Sequence, residues 1–319
     1  MSRVAAAPLR AGALAEPLTR ATEHADSDTL VDQLVDMVDS VRSADIAAVG
    51  LAVPRIVDVE TGCVRSTARS AAPATNGSVA LPLADLPLRE VLGDRLGVPV
   101  FVDSAVNVAA LAEAHDDDAE PVTRDLVLLN VATGVAGGLV LGGEIYRGST
   151  GAAGQLGQTI LGLDLGGAVP APMGFPQPGS LEYVASGHAL DRIAGVAGRV
   201  RPDSELAKYR AQGKPVLGPA VIEAALDGDA SAARVMEIWG QRLGIGVANA
   251  IHVFDPEEVV LGGDATRAGA LLLEPARRVA LEYVLPGLGT RTTIRLARHG
   301  ARGALLGAAL LARQEAARI

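Results

Sequence analysis

The run from Leu126 to Gly143 constrains the fold most, because it carries no charged side chain and contains five glycines. It is nominally long enough to cross a bilayer as a helix. However, Asn130, Thr133 and the glycine-rich segment Gly134–Gly138 interrupt it, and glycine disfavours a helix interior. The pattern therefore predicts two buried β-strands joined by a glycine loop, and no membrane span.

Further strand-like and helix-like segments alternate along the chain. Residues 27–42 repeat apolar side chains at helical spacing, with Ser27 or Asp28 as the predicted N-cap. Other predicted strands are IAAVGLAVPR, VPVFVD, EEVVLGGD and TTIRLARHG, and other predicted helices are 88–97, 106–114, 232–254 and the C-terminal segment. Such alternation is typical of an α/β fold.

The amino-acid composition excludes some classes of function. Hydrophobic residues make up 49% of the 319 residues and the net charge is −9, which indicates a globular chain without the basic stripe that nucleic-acid binding requires. Cys63 is the single cysteine, so the chain has no disulfide framework and a cytoplasmic location is expected. The N-terminal residues lack the unbroken apolar core of a signal peptide.

Two glycine segments are candidate phosphate sites. The segment NVATGVAGG (130–138) lies between predicted strands, and LGGD (261–264) has the same strand-then-glycine form. Glycines let backbone N–H groups approach phosphate oxygens, although such segments also form ordinary turns. The candidate residues are Thr133, Gly134, Gly137, Gly138, Gly262 and Gly263. LDLGG (163–167) has a superficially similar form but lies in a Gly/Pro-rich loop, and we interpret it as unrelated.

Together these segments resemble the ROK family of bacterial sugar kinases and sugar-responsive repressors. The resemblance runs from about Arg3 to the C-terminus and is closest to the N-acetylglucosamine kinase branch. The segments that carry it, in order, are GLAVPRIVDVETG, PVFVDSAVNVAALAEA, LNVATGVAGGLVLGGEIYRGSTGAAGQLGQ, GSLEYVASG, FDPEEVVLGGD and RHGARGALLGAALLA.

The resemblance implies an actin-like ATPase (ribonuclease H-like) fold of two α/β domains with a cleft between them. The expected smaller domain is 1–114 plus about 300–319, and the larger is 115–299. It also implies a sugar-like ligand, ATP with Mg²⁺, and a homodimer. In the family, an aspartate takes the proton of the sugar hydroxyl that attacks the γ-phosphate.

The sequence departs from the family pattern at the residues that carry out the family's chemistry. The family's Asn-Asp pair corresponds to Ser104 and Ala105, so an alanine stands where the family has its general base. Gln155 and Gln158 replace the Glu and His that hold sugar hydroxyls, while Glu182 is retained. Ala68 replaces an asparagine that reaches a sugar hydroxyl. Asp103 is a poor substitute base, because strand residues two apart lie roughly 6.6 Å from each other.

The zinc ligands of the family are also replaced. Its cysteines correspond to Met173, Phe175 and Ser180, and the associated histidine to Gln158, so we expect no zinc. The family's N-terminal DxGGT strand is missing before Ser2-Arg3. Either the gene start is placed too late or this strand is lost, and loss would leave an exposed sheet edge.

Three functions follow. The first is a sugar-binding relative with little or no kinase activity. The second is a working hexose or N-acetylhexosamine kinase with a misplaced start, and the third is a regulatory scaffold without a DNA-binding domain of its own.

Overall fold

The computed structural model describes residues 3–65, 81–163, 174–201 and 203–319. Its strands are β1 (Arg3–Ala6), β2 (Leu9–Arg10), β3 (Ala13–Leu14), β4 (Leu18–Ala21), β5 (Val49–Val53), β6 (Val100–Ser104), β7 (Leu126–Val131), β8 (Val135–Leu141), β9 (Glu144–Ile145), β10 (Glu258–Gly262) and β11 (Thr293–Leu296). Its α-helices are α1 (Ser27–Val41), α2 (Leu88–Leu96), α3 (Ala105–Glu113), α4 (Leu181–Ala185), α5 (Gly187–Val200), α6 (Glu205–Ala211), α7 (Gly218–Leu226), α8 (Ala230–Phe254), α9 (Ala270–Tyr283) and α10 (Gly303–Ala316). The predicted α/β class is confirmed.

Several local predictions need correction. The N-cap of α1 is Asp26, whose carboxylate accepts the Thr29 N–H at 2.7 Å, and not Ser27 or Asp28. The short strands β1–β4 were not predicted, because two to four largely exposed residues show no clear alternation. Helix α9 was also not predicted, and it contains Pro275.

The chain divides into two compact units. Unit 1 comprises the described residues within 1–124, 138–154 and 301–319. In it, β1 pairs antiparallel with β4 and β5 pairs parallel with β6, as separate two-stranded sheets. Helices α1 and α2 cover a core that includes Leu30 and Leu88. Helix α10 lies directly on β5, since a Cβ at Gly50 would lie 1.7 Å from the Ala308 carbonyl oxygen.

Unit 2 comprises the described residues within 125–137 and 155–300. Strand β10 pairs parallel with both β7 and β11, placing Gly262 opposite Asn130. Helix α8 packs closely on α9, because Gly244 leaves room for the Ala276 backbone. Strand β8 begins in unit 2 and ends in unit 1. No helix among the described residues is long and apolar enough to span a membrane.

Candidate functional site

The predicted catalytic turn lies where β6 ends and α3 begins, in unit 1. Ser104 is the N-cap of α3, and its Oγ accepts the Asn107 N–H at 3.3 Å. Ala105 is the first helical residue and is partly exposed. Its methyl group can neither accept nor donate a proton. The hydroxyl of Ser104, which the sequence places in a sugar pocket, is buried and caps α3.

Asp103 precedes this turn and is held by three donors. Its Oδ1 accepts the Ser104 N–H at 2.7 Å and the Asn107 Nδ2–H at 2.8 Å. Its Oδ2 accepts Arg147 Nε–H at 2.6 Å. The side chain is only 5% exposed. Asp103 therefore anchors the turn, with its carboxylate shared among three donors.

The Asp103 anchor extends into a charged network in unit 1. Arg147 also contacts Glu315 at 3.2 Å, and Arg318 contacts Glu315 at 3.1 Å. These side chains line a cavity of about 310 Å³ together with Arg89. Sequence reasoning missed the network, because its members are far apart in the chain and no local pattern links them.

In unit 2, Glu182 and Gly134 are brought together. Glu182 lies in the first turn of α4, and its Oε2 accepts the Val135 N–H at 2.9 Å. A Cβ at Gly134 would lie 2.7 Å from the same oxygen. The sequence had placed these two residues in separate sugar and phosphate sites. Here the missing side chain of Gly134 makes room for the Glu182 carboxylate.

Gln158 approaches the same place from a 3-10 turn, Leu156–Gln158. The turn lies against β8, because a Cβ at Gly157 would lie 2.0 Å from the Val135 carbonyl oxygen. Gln158 Oε1 is buried and accepts no hydrogen bond from the described residues. A buried acceptor without a donor costs about 1–3 kcal/mol. Gln155, by contrast, is exposed.

The two predicted phosphate segments lie at the carboxyl ends of neighbouring parallel strands, where α/β proteins commonly bind ligands. Thr133 is exposed on the turn after β7. Gly263 follows β10 with φ +79°, and a Cβ there would lie 2.5 Å from the Val131 carbonyl oxygen. The glycine loop is shorter than predicted, since β8 already begins at Val135. Gly137 and Gly138 are therefore strand residues.

Gly138 has a packing role in unit 1, because a Cβ there would lie 2.5 Å from the Val106 carbonyl oxygen. Gly262 has a similar role in unit 2, since a Cβ there would lie 2.9 Å from a Leu128 methyl. Close packing thus accounts for these two glycines without any ligand.

The positions that replace the family's zinc ligands have other surroundings. Ser180 caps α4 by accepting the Tyr183 N–H at 3.2 Å, and Phe175 is 52% exposed. Across the ranges that the structure describes, no three His, Cys, Asp or Glu side chains group together as a metal site would require. Met173, Ala68 and residues 164–167 lie outside the described residues.

Comparisons with known proteins identify the family of this chain. The chain is 29% identical over 272 residues to a glucokinase of Halalkalibacterium halodurans, covering 85% of this chain and 78% of the relative. It is 30% identical to an N-acetyl-D-glucosamine kinase of Aliivibrio fischeri, covering 94% of both.

Among solved structures, a ROK family glucokinase from Streptomyces griseus in complex with glucose and AMPPNP is similar, with a TM-score of 0.73 and 26% identity. The similarity covers 98% of this chain and 96% of that one. This confirms the predicted actin-like ATPase fold. The family model described as "ROK family" matches residues 12–315. The chain therefore belongs to the ROK family and is a sugar-kinase-like protein.

Proposed function

We propose that this protein binds a sugar-like ligand and has little or no phosphotransfer activity. One observation carries the proposal: Ala105 stands where the family's base would stand, and the neighbouring carboxylate of Asp103 is held by three donors. A general base typically contributes roughly 100- to 10,000-fold to a rate. That corresponds to about 3–5 kcal/mol of activation free energy.

The sugar-binding part of the proposal is supported by unit 2. The unsatisfied Gln158 Oε1 is an acceptor that a ligand hydroxyl would satisfy, and Glu182 is held nearby at the start of β8. Nucleotide binding is supported by the exposed hydroxyl of Thr133 and by the glucose and AMPPNP complex of the Streptomyces griseus glucokinase. No zinc is part of the proposal, and Mg²⁺ would enter with the nucleotide.

The test is ADP release from MgATP with glucose and N-acetylglucosamine, for the unmodified chain, Ala105→Asp and Ala105→Asn. An aspartate in the first turn of a helix is electrostatically favourable, so the first variant should fold. We expect no turnover by the unmodified chain or by Ala105→Asn, which adds bulk without a base. Turnover by Ala105→Asp alone would show an intact site that lacks only its base. Robust turnover by the unmodified chain would refute the proposal.

Sugar binding is measured separately by calorimetry, so that its failure is distinguishable from a failure of catalysis. Gln158→Leu should weaken binding of the preferred sugar about tenfold, as expected when one buried hydrogen bond of about 1.4 kcal/mol is lost. Gln155→Leu is the matched control, because Gln155 is exposed on the same turn.

A second candidate function is a working sugar kinase with a longer N-terminus. The observation in its favour is that β5 pairs only with β6 among the described residues, although its sequence VGLAV is wholly apolar or glycine. A free apolar edge is a site for strand addition. Translating the DNA upstream of Met1 in frame tests this. If no DxGG-like strand is encoded there, the candidate loses its support.

A further inference from the structure

A groove between α5 and α8, within unit 2, has no role in the function described above. Its volume is about 470 Å³. Its apolar lining comes largely from one stripe of α5, formed by Ile193, Val196 and Val200, and from Val235 and Ile238 on α8. Val196 is 59% and Val200 71% exposed, although the opposite face of α5 is already buried. Helix α5 therefore carries a second apolar stripe, in which the described residues leave Val196 and Val200 largely uncovered.

Four arginines border this groove in a chain of net charge −9. Arg192 lies on α5 and Arg201 directly after it, and the other two, Arg234 and Arg242, lie on α8. Arg192 and Arg242 lie at one end, since they donate to the carbonyls of the adjacent residues Tyr183 and Val184. Arg201 ends α5 and lies with the first turns of α8 at the other end of the groove.

No carboxylate of the described residues lines the groove. The nearest acids on α8 are engaged elsewhere: Asp229 caps its first turn, and Glu237 contacts Arg278. Among the described residues, no hydrogen bond or ion pair reaches the guanidinium groups of Arg201 or Arg234. The groove therefore presents uncompensated positive charge at the rim of an apolar surface.

We propose that this groove binds an acidic amphipathic helix of a partner protein. Arg234 and Arg242 are eight residues apart on α8, which is about 12 Å along the helix axis. The apolar stripe from Ile193 to Val200 spans about 10 Å. A ligand matching both features has an apolar stripe of two to three turns with carboxylates about two turns apart, which is one face of an amphipathic helix.

Other occupants fit these features less well. A single-chain fatty acid has one anionic group, whereas the groove has cationic groups at both ends. A symmetric dimer through this groove would place arginines of two copies against each other. The chain's own acidic amphipathic helix, α1, buries its apolar residues such as Leu30 and Leu34 in unit 1, so it is not free to fill the groove of a second copy.

The test uses the full chain and a fluorescein-labelled helical peptide of about four turns, with a leucine stripe flanked by glutamates two turns apart. A matched peptide carries lysine in place of each glutamate. Fluorescence anisotropy should show binding of the glutamate peptide at micromolar concentration in low salt. Because the contact is partly electrostatic, affinity should fall several-fold when salt is raised to about 0.5 M. The lysine peptide should not bind.

Two variants localise the contact. The double substitution Arg201→Glu and Arg234→Glu, and separately Val196→Asp, should each weaken the glutamate peptide about tenfold or more. Arg291→Glu is the matched control, because Arg291 is exposed in the same unit outside the groove. Fluorescence of Trp239, buried in α8, confirms that each variant is folded.

Three results would overturn the proposal. They are absence of binding by the glutamate peptide, equal binding of the two peptides, and binding that the groove variants leave unchanged. Light scattering adds a fourth: if the double substitution converts a dimer of the chain to a monomer, the groove contacts a second copy and not an acidic partner helix.

Discussion

Replacing Arg147 with methionine should destabilise the protein by about 2–3 kcal/mol. Arg147 supplies one of three donors to the buried Asp103 carboxylate. A hydrogen bond to a charged group contributes about 1.5–3 kcal/mol, and removing one partner of a buried ion pair costs about 3–5 kcal/mol. The expected loss lies below the cost of about 3–5 kcal/mol for a fully buried pair, because Asp103 keeps two donors and the Arg147 side chain is 24% exposed.

Arg95→Met is the matched control. Arg95 contacts Asp32 at 2.8 Å, so the bond is similarly short, but the two side chains are 47% and 63% exposed. Exposed pairs contribute about 0–1 kcal/mol, since water already stabilises both charges. The two substitutions remove the same chemical group from the same unit. Arg147 has the buried Asp103 and also Glu315 as partners, whereas the partner of Arg95 is exposed.

Urea denaturation followed by far-UV circular dichroism measures both variants. Trp239, the single tryptophan, provides a second signal from unit 2, and coincident transitions would justify a two-state fit. In a double-mutant cycle with Asp103→Asn, the double variant should lose less stability than the sum of the two single losses, by about 1 kcal/mol or more, because no charge is then left buried. If Arg147→Met and Arg95→Met differ by less than about 0.5 kcal/mol, Asp103 is not the anchor inferred here.

Three further outcomes are expected. Gly134→Ala should displace the Glu182 carboxylate and, because that group ends a flexible side chain, destabilise unit 2 by only about 0.5–1.5 kcal/mol, measured by tryptophan fluorescence in urea. Gly263→Ala should cost about 2 kcal/mol or more in the same assay, because it adds a clash with β7 to an unfavourable φ of +79°. Gly213→Ala, with φ +71° in open space, should cost only about 1 kcal/mol. Burial lowers the pKa of His115 below 6.5, so stability should fall as pH drops below 6.5, by at most about 1.4 kcal/mol per unit, and His115→Gln should reduce that slope.

The direction of this pH dependence follows from proton binding to His115. The unfolded chain takes up a proton on His115 near its ordinary pKa, whereas the folded chain resists protonation until a lower pH. Protonation therefore favours the unfolded state between these two values. Below the folded pKa the dependence on His115 ends. Two results together would contradict this role of His115: the unmodified chain gains stability as pH falls from 7 to 5, and the His115→Gln variant loses stability over the same range.

Much of the fold could be predicted from the sequence, because long apolar segments and glycine boundaries are local signals. Helix α8 was predicted from residue 232 and begins at Ala230, and β5 lies within the predicted strand segment IAAVGLAVPR. The short strands β1–β4 carry too few residues for such a signal. The pairing of Glu182 with Gly134 could not be predicted either, since it depends on how α4 lies against the start of β8.

Residues that match the family pattern and residues that depart from it support different conclusions about function. Removing Arg147 would leave the buried Asp103 carboxylate without its charged partner, so stability alone would preserve the pair in a protein without catalysis. Their presence is therefore no argument for a working kinase. Gln158 is the opposite case, because its buried Oε1 accepts no hydrogen bond from the described residues, which costs free energy. A ligand hydroxyl would offset that cost, so the proposal of a sugar-like ligand rests on Gln158 and the proposal of little or no phosphotransfer rests on Ala105.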